Sequence, residues 1–316
     1  MNQSAVRPPL PVWRSLLYVP INVERFVEGA HRRGADAVQL DLEDSVPESE
    51  KDKARTLIQS AARRVRRGGA DVVVRINRPL DQAVRDIEEA VCPEVDAISV
   101  TKVSSPSHLR LLDELVGTLE QSRGLPAGRI RFVAMIETAD AFFQAREIAQ
   151  ATPRVAALNL GTEDFALSMG MQPEPEALFY PKQHIAFAAR AAGVIPLGFV
   201  GSVAEFGDRE KFRAMIRRSR RMGFEGANCI HPGQVGILNE EYSPLAEEVA
   251  AARELIARNE EAKAAGRGSF AVDGKMIDLP ILLRAERLLA RHAAIERRAA
   301  QMQAFSAADG STGDPR

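Results

Sequence analysis

Short apolar runs rich in β-branched residues recur along the chain at intervals of roughly 20 to 40 residues, and the stretches between them carry the mixed spacing of amphipathic helices. Eight runs stand out: Ser15–Val19, Ala37–Asp41, Val72–Ile76, Ala97–Val100, Phe132–Ile136, Ala156–Leu160, Val194–Leu197 and Gly226–Ile230. Each is nearly continuous in apolar residues, as a strand buried on both faces must be. Strands of that kind alternating with helices predict parallel βα units, and eight units predict a closed (β/α)8 TIM barrel. The competing architecture is an open doubly wound sheet. Its usual Gly-x-Gly-x-x-Gly turn after an early strand is absent from the sequence.

More chain follows Ile230 than barrel closure needs. Leu245–Ala265 reads as a charged amphipathic helix and Gly266–Gly274 as a glycine-punctuated loop. Pro280–Ala300 reads as a second helix with Leu282, Ala285, Leu289 and His292 on one stripe. The expected map is therefore a catalytic barrel over 13–235 and a C-terminal helical arm over 236–305. The polar ends, 1–12 and 306–316, are expected to be disordered.

With 316 residues, 45% hydrophobic and 27% charged, the chain has an ordinary globular composition. Its 42 basic and 43 acidic residues leave a formal charge of -1, which offers no field for a nucleic acid. The basic clusters Arg63–Arg67 and Arg217–Arg221 lie in helix-like stretches without interleaved aromatics and read as solvated faces. Cys92 and Cys229 stand far apart with no Cys/His spacing, which argues against a disulfide framework, a zinc site or an iron–sulfur cluster. No apolar run is long enough for a membrane span and no signal-peptide core opens the chain, so a cytoplasmic protein without a membrane partner is expected.

In a barrel of this kind chemistry gathers where the strands end. The apolar runs lead into Asp41-Leu42-Glu43-Asp44, Arg75-Ile76-Asn77, Thr101-Lys102, Glu137-Thr138 and Gly161-Thr162-Glu163-Asp164. Neighbouring strands lie roughly 5 Å apart, so Glu137 and Asp164 can place oxygens on one cation. An oxygen-only donor set without paired His or Cys suits a hard ion, Mg²⁺, with Mn²⁺ as a substitute. On spacing alone, simpler roles stay open. Glu137 and Asp164 would serve as loop or cap carboxylates, Arg75 as a rim ion pair to Asp41 or Glu43, and Asp278 as a helix-start residue just before Pro280. Lys102 among rim carboxylates reads as a charged lysine before it reads as a Schiff-base nucleophile.

These residues also carry a resemblance. Arg14-Ser15-Leu16-Leu17-Tyr18-Val19-Pro20 and Asp41-Leu42-Glu43-Asp44-Ser45-Val46-Pro47 are followed in order by Val74-Arg75-Ile76-Asn77, Ile136-Glu137-Thr138, Gly161-Thr162-Glu163-Asp164, Ile230-His231-Pro232-Gly233-Gln234 and Gly274-Lys275-Met276-Ile277-Asp278-Leu279-Pro280. Together they resemble the citrate lyase β-subunit-like and malyl-CoA lyase proteins of the HpcH/HpaI aldolase/citrate lyase superfamily. The resemblance implies a Mg²⁺-dependent barrel enzyme that makes or breaks a carbon–carbon bond next to an acyl-CoA thioester, with a 2-oxo acid as the other partner. Glu137 and Asp164 match its metal ligands and Arg75 its active-site arginine. Asp278 matches an acid/base supplied by a neighbouring subunit of a homo-oligomer, a trimer or a hexamer. Tyr18 and Arg25 match positions that contact CoA, and Ile230 and His231 a stretch lining the acyl-CoA channel. Glu43 matches a carboxylate behind the ligands that holds a water on the ion.

The sequence departs from the pattern at three places. Gly29 stands where a basic residue is common, with Arg32 or Arg33 as possible replacements, Ile21 stands for the usual glycine, and Pro196–Glu205 lacks an acidic, aromatic-flanked pattern. Three activities are compatible with the set: a lyase for malyl-CoA- or citramalyl-CoA-like esters, a malyl-CoA thioesterase, and a citrate lyase β-like subunit that depends on an acyl-carrier partner.

Overall fold

Because they are apolar and β-branched, the eight runs bury themselves as strands. A computed structural model describes residues 7–201, 208–264, 270–272 and 275–308. Its strands are β1 Ser15–Pro20, β2 Ala37–Asp41, β3 Asp71–Ile76, β4 Ala97–Val100, β5 Arg131–Ile136, β6 Val155–Leu160, β7 Ile195–Leu197 and β8 Ala227–Cys229, each within one residue of the expected limits at either end. All pair in parallel, in the order β8-β1-β2-β3-β4-β5-β6-β7. A bridge from Leu197 to Gly226 and a 2.8 Å hydrogen bond from the Gly198 N–H to the Gly226 carbonyl draw β7 to β8. The fold is a nearly closed (β/α)8 TIM barrel. Gly226 also lets the start of β8 close against the segment entering β1, because a Cβ there would lie 1.7 Å from the Trp13 carbonyl oxygen.

Alternation along each strand sorts residues into two layers. Leu17, Val38, Leu40, Val74, Ile98 and Phe132 face outward into the main core under the helices. Leu16, Ala37, Val73, Ala97, Val133, Ala157 and Ile195 face inward and, with Trp13, fill the foot of the barrel. Two or four residues further along the same inward face stand Tyr18, Asp41, Arg75, Glu137, Asn159 and Asn228. The polar site thus sits directly above an apolar plug, on strands that cannot shift without disturbing it.

The chain forms two compact units, Met1–Tyr242 with Ala304–Arg316, and Ser243–Gln303. The second contains the helix Ala246–Ala264, the antiparallel pair β9 Phe270–Val272 and β10 Lys275–Ile277, and most of the helix Leu279–Ala308. A strand pair therefore replaces part of the expected loop, since Phe270–Val272 and Lys275–Ile277 are apolar enough to pair. Residues 266–269 and 273–274 lie outside the described residues. The ends differ from expectation too. Arg7 donates to the Ala192 carbonyl at 2.7 Å and the Ala149 carbonyl at 3.1 Å, which ties residue 7 to the barrel, and the final helix runs on to Ala308. Among the described residues no helix is long and apolar enough to cross a membrane.

Candidate active site

Asp41 and Arg75 end neighbouring strands at paired register positions, so their side chains meet on the inward face. The fork is bidentate: Arg75 Nε donates to Asp41 Oδ1 and Nη2 to Oδ2, both at 2.6 Å. Nη1 reaches Glu43 Oε2 at 2.9 Å and Asp44 Oδ2 at 3.0 Å. Burial of Arg75 works against its charge, but the Asp41 carboxylate outweighs this and holds the guanidinium firmly protonated. Burial alone would likewise raise Asp41, yet the hydrogen bonds from Arg75 hold it below the ordinary value. The guanidinium carbon also lies 4.8 Å from the centre of the Tyr18 ring.

Across the barrel mouth, three carboxylates gather around Lys102. Its Nζ donates to Glu43 Oε1 at 2.6 Å and lies 3.6 Å from Asp164 Oδ2, while its backbone N–H donates to Glu137 Oε2. Lys102 is the one non-glycine residue with positive φ among the described residues, at 46°, a left-handed turn held by Glu137 at its N–H and by Glu43 at its Nζ. Burial works against the Lys102 charge, but Glu43 outweighs it and raises the ammonium above its ordinary value, so it is an ion-pair partner and not a free amine nucleophile. Burial raises Glu43 and lifts Glu137 to about 7. Glu43 Oε2 has no well-aligned hydrogen-bond donor despite its closeness to Arg75.

The cluster fits a hard cation. Its donors are carboxylate oxygens only, burial raises two of the acids, and Gly161 leaves room that Glu137 fills: a Cβ at 161 would stand 2.3 Å from Glu137 Oε1. Among the described residues no three His, Cys, Asp or Glu side chains are gathered so as to hold a metal ion by themselves.

Two cavities open here. The larger, about 470 Å³, runs between β1, the helix Glu24–Ala30 and the turn after β8, and is lined by Tyr18, Arg25, Phe26, Arg33, Ile230 and His231. It gathers every residue expected to contact CoA. Arg33 also covers Gly29, its guanidinium 3.6 Å from where a Cβ would be, so a basic side chain serves the place that Gly29 vacates. His231 caps the helix Pro232–Glu241, its Nδ1 accepting from the Gly233 N–H at 3.0 Å, and stands in the cavity wall. The smaller cavity, about 120 Å³, is lined by Tyr18, Met135, Asn159, Gly161, Lys182 and Asn228. Tyr18 lines both.

The structure thus brings together Glu43, Arg75, Glu137 and Asp164, and separately Tyr18, Arg25, Ile230 and His231. Asp278 belongs to the second unit, is exposed, and accepts from the Ile281 N–H at 3.3 Å at the start of the last helix. Sequence reasoning missed Asn159, Asn228 and Lys182. The last had a readable signal, since Leu178, Lys182, Ile185 and Ala189 fall on one helical stripe that is otherwise apolar.

A family model described as HpcH/HpaI aldolase/citrate lyase matches residues 14–232. The citrate lyase subunit beta of Leuconostoc mesenteroides subsp. cremoris is 35% identical over 280 residues, 87% of this chain and 92% of that one. The L-malyl-CoA/beta-methylmalyl-CoA lyase of Cereibacter sphaeroides is 34% identical over 303 residues, covering 88% and 94%. Among solved structures, the protein CitE from Mycobacterium tuberculosis in complex with magnesium, acetoacetate and coenzyme A is 29% identical with a TM-score of 0.68, covering 91% of this chain and 100% of that one.

Proposed function

The chain belongs to the HpcH/HpaI aldolase/citrate lyase family, and from that premise we propose that it is a Mg²⁺-dependent CoA-ester lyase. It would cleave a short β-hydroxyacyl-CoA, malyl-CoA-like or citramalyl-CoA-like, to acetyl-CoA and a 2-oxo acid. The observation that carries this reading is the pair of cavities meeting at Tyr18: a large groove edged by Arg25 and Arg33 beside a small pocket bordered by Gly161, next to the carboxylate cluster. The groove suits a pantetheine chain with phosphates, and the pocket a small acid.

Glu137 and Asp164 would hold Mg²⁺, or Mn²⁺ in its place, with Glu43 behind them, and the bound ion would supply a Lewis acid for the hydroxy-acid portion. Arg75, aimed by Asp41, places its remaining Nη1 edge toward the mouth, where it donates to the thioester oxygen as the enolate forms. The carbon–carbon bond breaks, its electron pair enters the thioester enolate, and the 2-oxo group forms as the hydroxyl gives its proton to a solvent water. Asp278, protonated from solvent, then delivers a proton to the enolate carbon, or removes it in condensation. Its exposure supports a role toward a neighbouring copy in a homotrimer or homohexamer, with each site shared between chains. Two free, buried cysteines suit the cytoplasm.

The purified chain with Mg²⁺ should convert malyl- or citramalyl-CoA to acetyl-CoA and 2-oxo acid, or methylmalyl-CoA to propionyl-CoA and 2-oxo acid, in equal amounts. Free CoA without oxo acid would replace the lyase with the thioesterase, and turnover only of a carrier-bound thioester would make the chain a carrier-dependent subunit.

A further inference from the structure

Lys51 is a cation to which neither the carboxylate cluster nor the mechanism gives a role. It opens the helix Lys51–Thr56 and is half-buried. Its Nζ donates to Asn77 Oδ1 at 2.6 Å, to the Glu43 carbonyl at 2.9 Å and to the Leu42 carbonyl at 3.0 Å. An ammonium has three donors, and all three are taken. Two of the acceptors lie just past β2 and the third just past β3, so one nitrogen joins the ends of the strands that deliver Asp41 and Arg75.

The ammonium is itself held in place. Asp86, fully buried on the helix Leu80–Ala90, accepts the Asn77 N–H and the Asn77 Nδ2 on one oxygen, each at 2.8 Å, and Arg55 Nε on the other at 2.7 Å. These bonds turn the Asn77 amide so that its nitrogen faces Asp86 and its oxygen faces Lys51. Lys51 and Arg55 lie one turn apart on one helix, so that turn is fastened at both ends to the same pair of buried groups.

Glu43 stands beyond the last residue of β2, where the ladder no longer sets the backbone. Its N–H donates to Asp41 Oδ1 at 2.9 Å, and its carbonyl accepts from Lys51 and from the Val46 N–H at 3.1 Å. Held on both sides of its Cα, it aims one carboxylate oxygen at Lys102 Nζ, at 2.6 Å, and the other at Arg75 Nη1, at 2.9 Å.

We propose that Lys51 is a positioning residue: by pinning the Leu42 and Glu43 carbonyls to the turn after β3, it fixes where the Glu43 carboxylate stands, and through it the Lys102 ammonium beside Glu137 and Asp164. It touches neither substrate nor metal. The effect on turnover rests on the lyase reading above, whereas the backbone tie does not.

The test compares the unaltered chain with Lys51→Met, Lys51→Arg and Thr152→Ala. The last removes a 2.8 Å bond to Asp113 ahead of β6 and is the structural control. Hydrogen exchange over residues 41–46 should quicken roughly tenfold or more in Lys51→Met, the low end for losing one hydrogen bond to a charged group, and should not change in Thr152→Ala. Calorimetric titration should show Mg²⁺ affinity falling roughly tenfold, as for a lost partner behind metal ligands. Turnover of malyl- or citramalyl-CoA should fall in kcat with little change in KM, because the groove at Tyr18 and Arg25 is untouched. Lys51→Arg keeps the charge but cannot converge three donors from one nitrogen, so it should restore little. In a Glu43→Ala background the Lys51→Met loss of Mg²⁺ affinity should nearly vanish. Unchanged exchange over 41–46, an equal effect of Thr152→Ala, full recovery in Lys51→Arg, or a Mg²⁺ loss undiminished without Glu43 would overturn the assignment, as would an unaltered chain that binds no Mg²⁺. Lys51→Gln, a milder truncation, answers the same questions should Lys51→Met not fold. Faster exchange and a coupled loss of Mg²⁺ affinity, with no CoA ester turned over by the unaltered chain, would uphold the role of Lys51 and sink the lyase reading instead.

Discussion

Gly161→Ala tests whether the carboxylate cluster is built by close approach. The backbone there has φ -76° and ψ 99°, which alanine adopts freely, so conformational strain is not the issue. What an added methyl meets is Glu137: Oε1 at 2.3 Å, Cγ at 2.4 Å and Cδ at 2.7 Å. Relief requires a movement of about 1 Å, and neither side is free to make it. The Gly161 N–H is bonded to the Ile136 carbonyl at 3.0 Å and its carbonyl to the Phe165 N–H at 2.9 Å. Glu137 is 3% exposed and bound to the Lys102 N–H. Overpacking of this kind costs about 1 to 3 kcal/mol, and losing the Lys102 bond adds about 1 kcal/mol. Thermal unfolding without metal should show that loss, and a Mg²⁺ titration should show affinity falling roughly tenfold or more as one charged ligand is displaced. Gly236→Ala, with nothing within 4 Å of its Cβ in the helix Pro232–Glu241, is the control and should stabilise by about 1 kcal/mol. In a Glu137→Ala background the Gly161→Ala penalty should nearly vanish, because the clashing atoms are gone. Full stability, Mg²⁺ affinity and activity in the single variant would refute the packing argument and, with it, Glu137 as a ligand held by Gly161.

Glu137→Gln and Asp164→Asn should each weaken Mg²⁺ binding in calorimetric titration while the fold persists, and unchanged affinity in both would remove them from the metal site. Arg75→Lys should lose most turnover with a smaller change in KM, because one ammonium cannot keep both bonds to Asp41 and still donate at the mouth; near-normal kcat would remove Arg75 from catalysis. Since the folded pKa of Asp41 lies below its unfolded value near 4, its stabilisation is present in full above about pH 4 and fades as pH falls through the folded value, so urea unfolding between about pH 5 and 2 should be less acid-sensitive in Asp41→Asn. Co-refolding Arg75→Ala with Asp278→Asn should restore activity that neither recovers alone, because some mixed sites would join an intact Arg75 to an intact Asp278. No rescue, or a monomer by light scattering, would end the shared site.

The rim was legible because one rule governs it. A strand with period two that begins apolar on its inward face and ends polar on the same face must deliver that polar group to the barrel mouth, so Asp41, Arg75 and Glu137 could be placed from sequence alone. The same rule predicts Tyr18, Asn159 and Asn228 on the inward face, but uncharged side chains in apolar runs carry no signal of their own, and two of the three passed unnoticed. Arg75 was legible only as a choice: partner of Asp41, or donor to substrate. The structure shows the first, the fork consuming Nε and Nη2 and leaving Nη1 beside Glu43 and Asp44, and the second is the role proposed for that Nη1 edge. Lys182 followed a different rule. It lies on a helix, where burial is set by a 3.6-residue stripe and the partner across the stripe is decided by tertiary packing. A charged residue on an apolar stripe reports that something unusual is buried, and tertiary packing alone shows what it meets: the Gly201 carbonyl and the Phe199 ring, beside the small cavity.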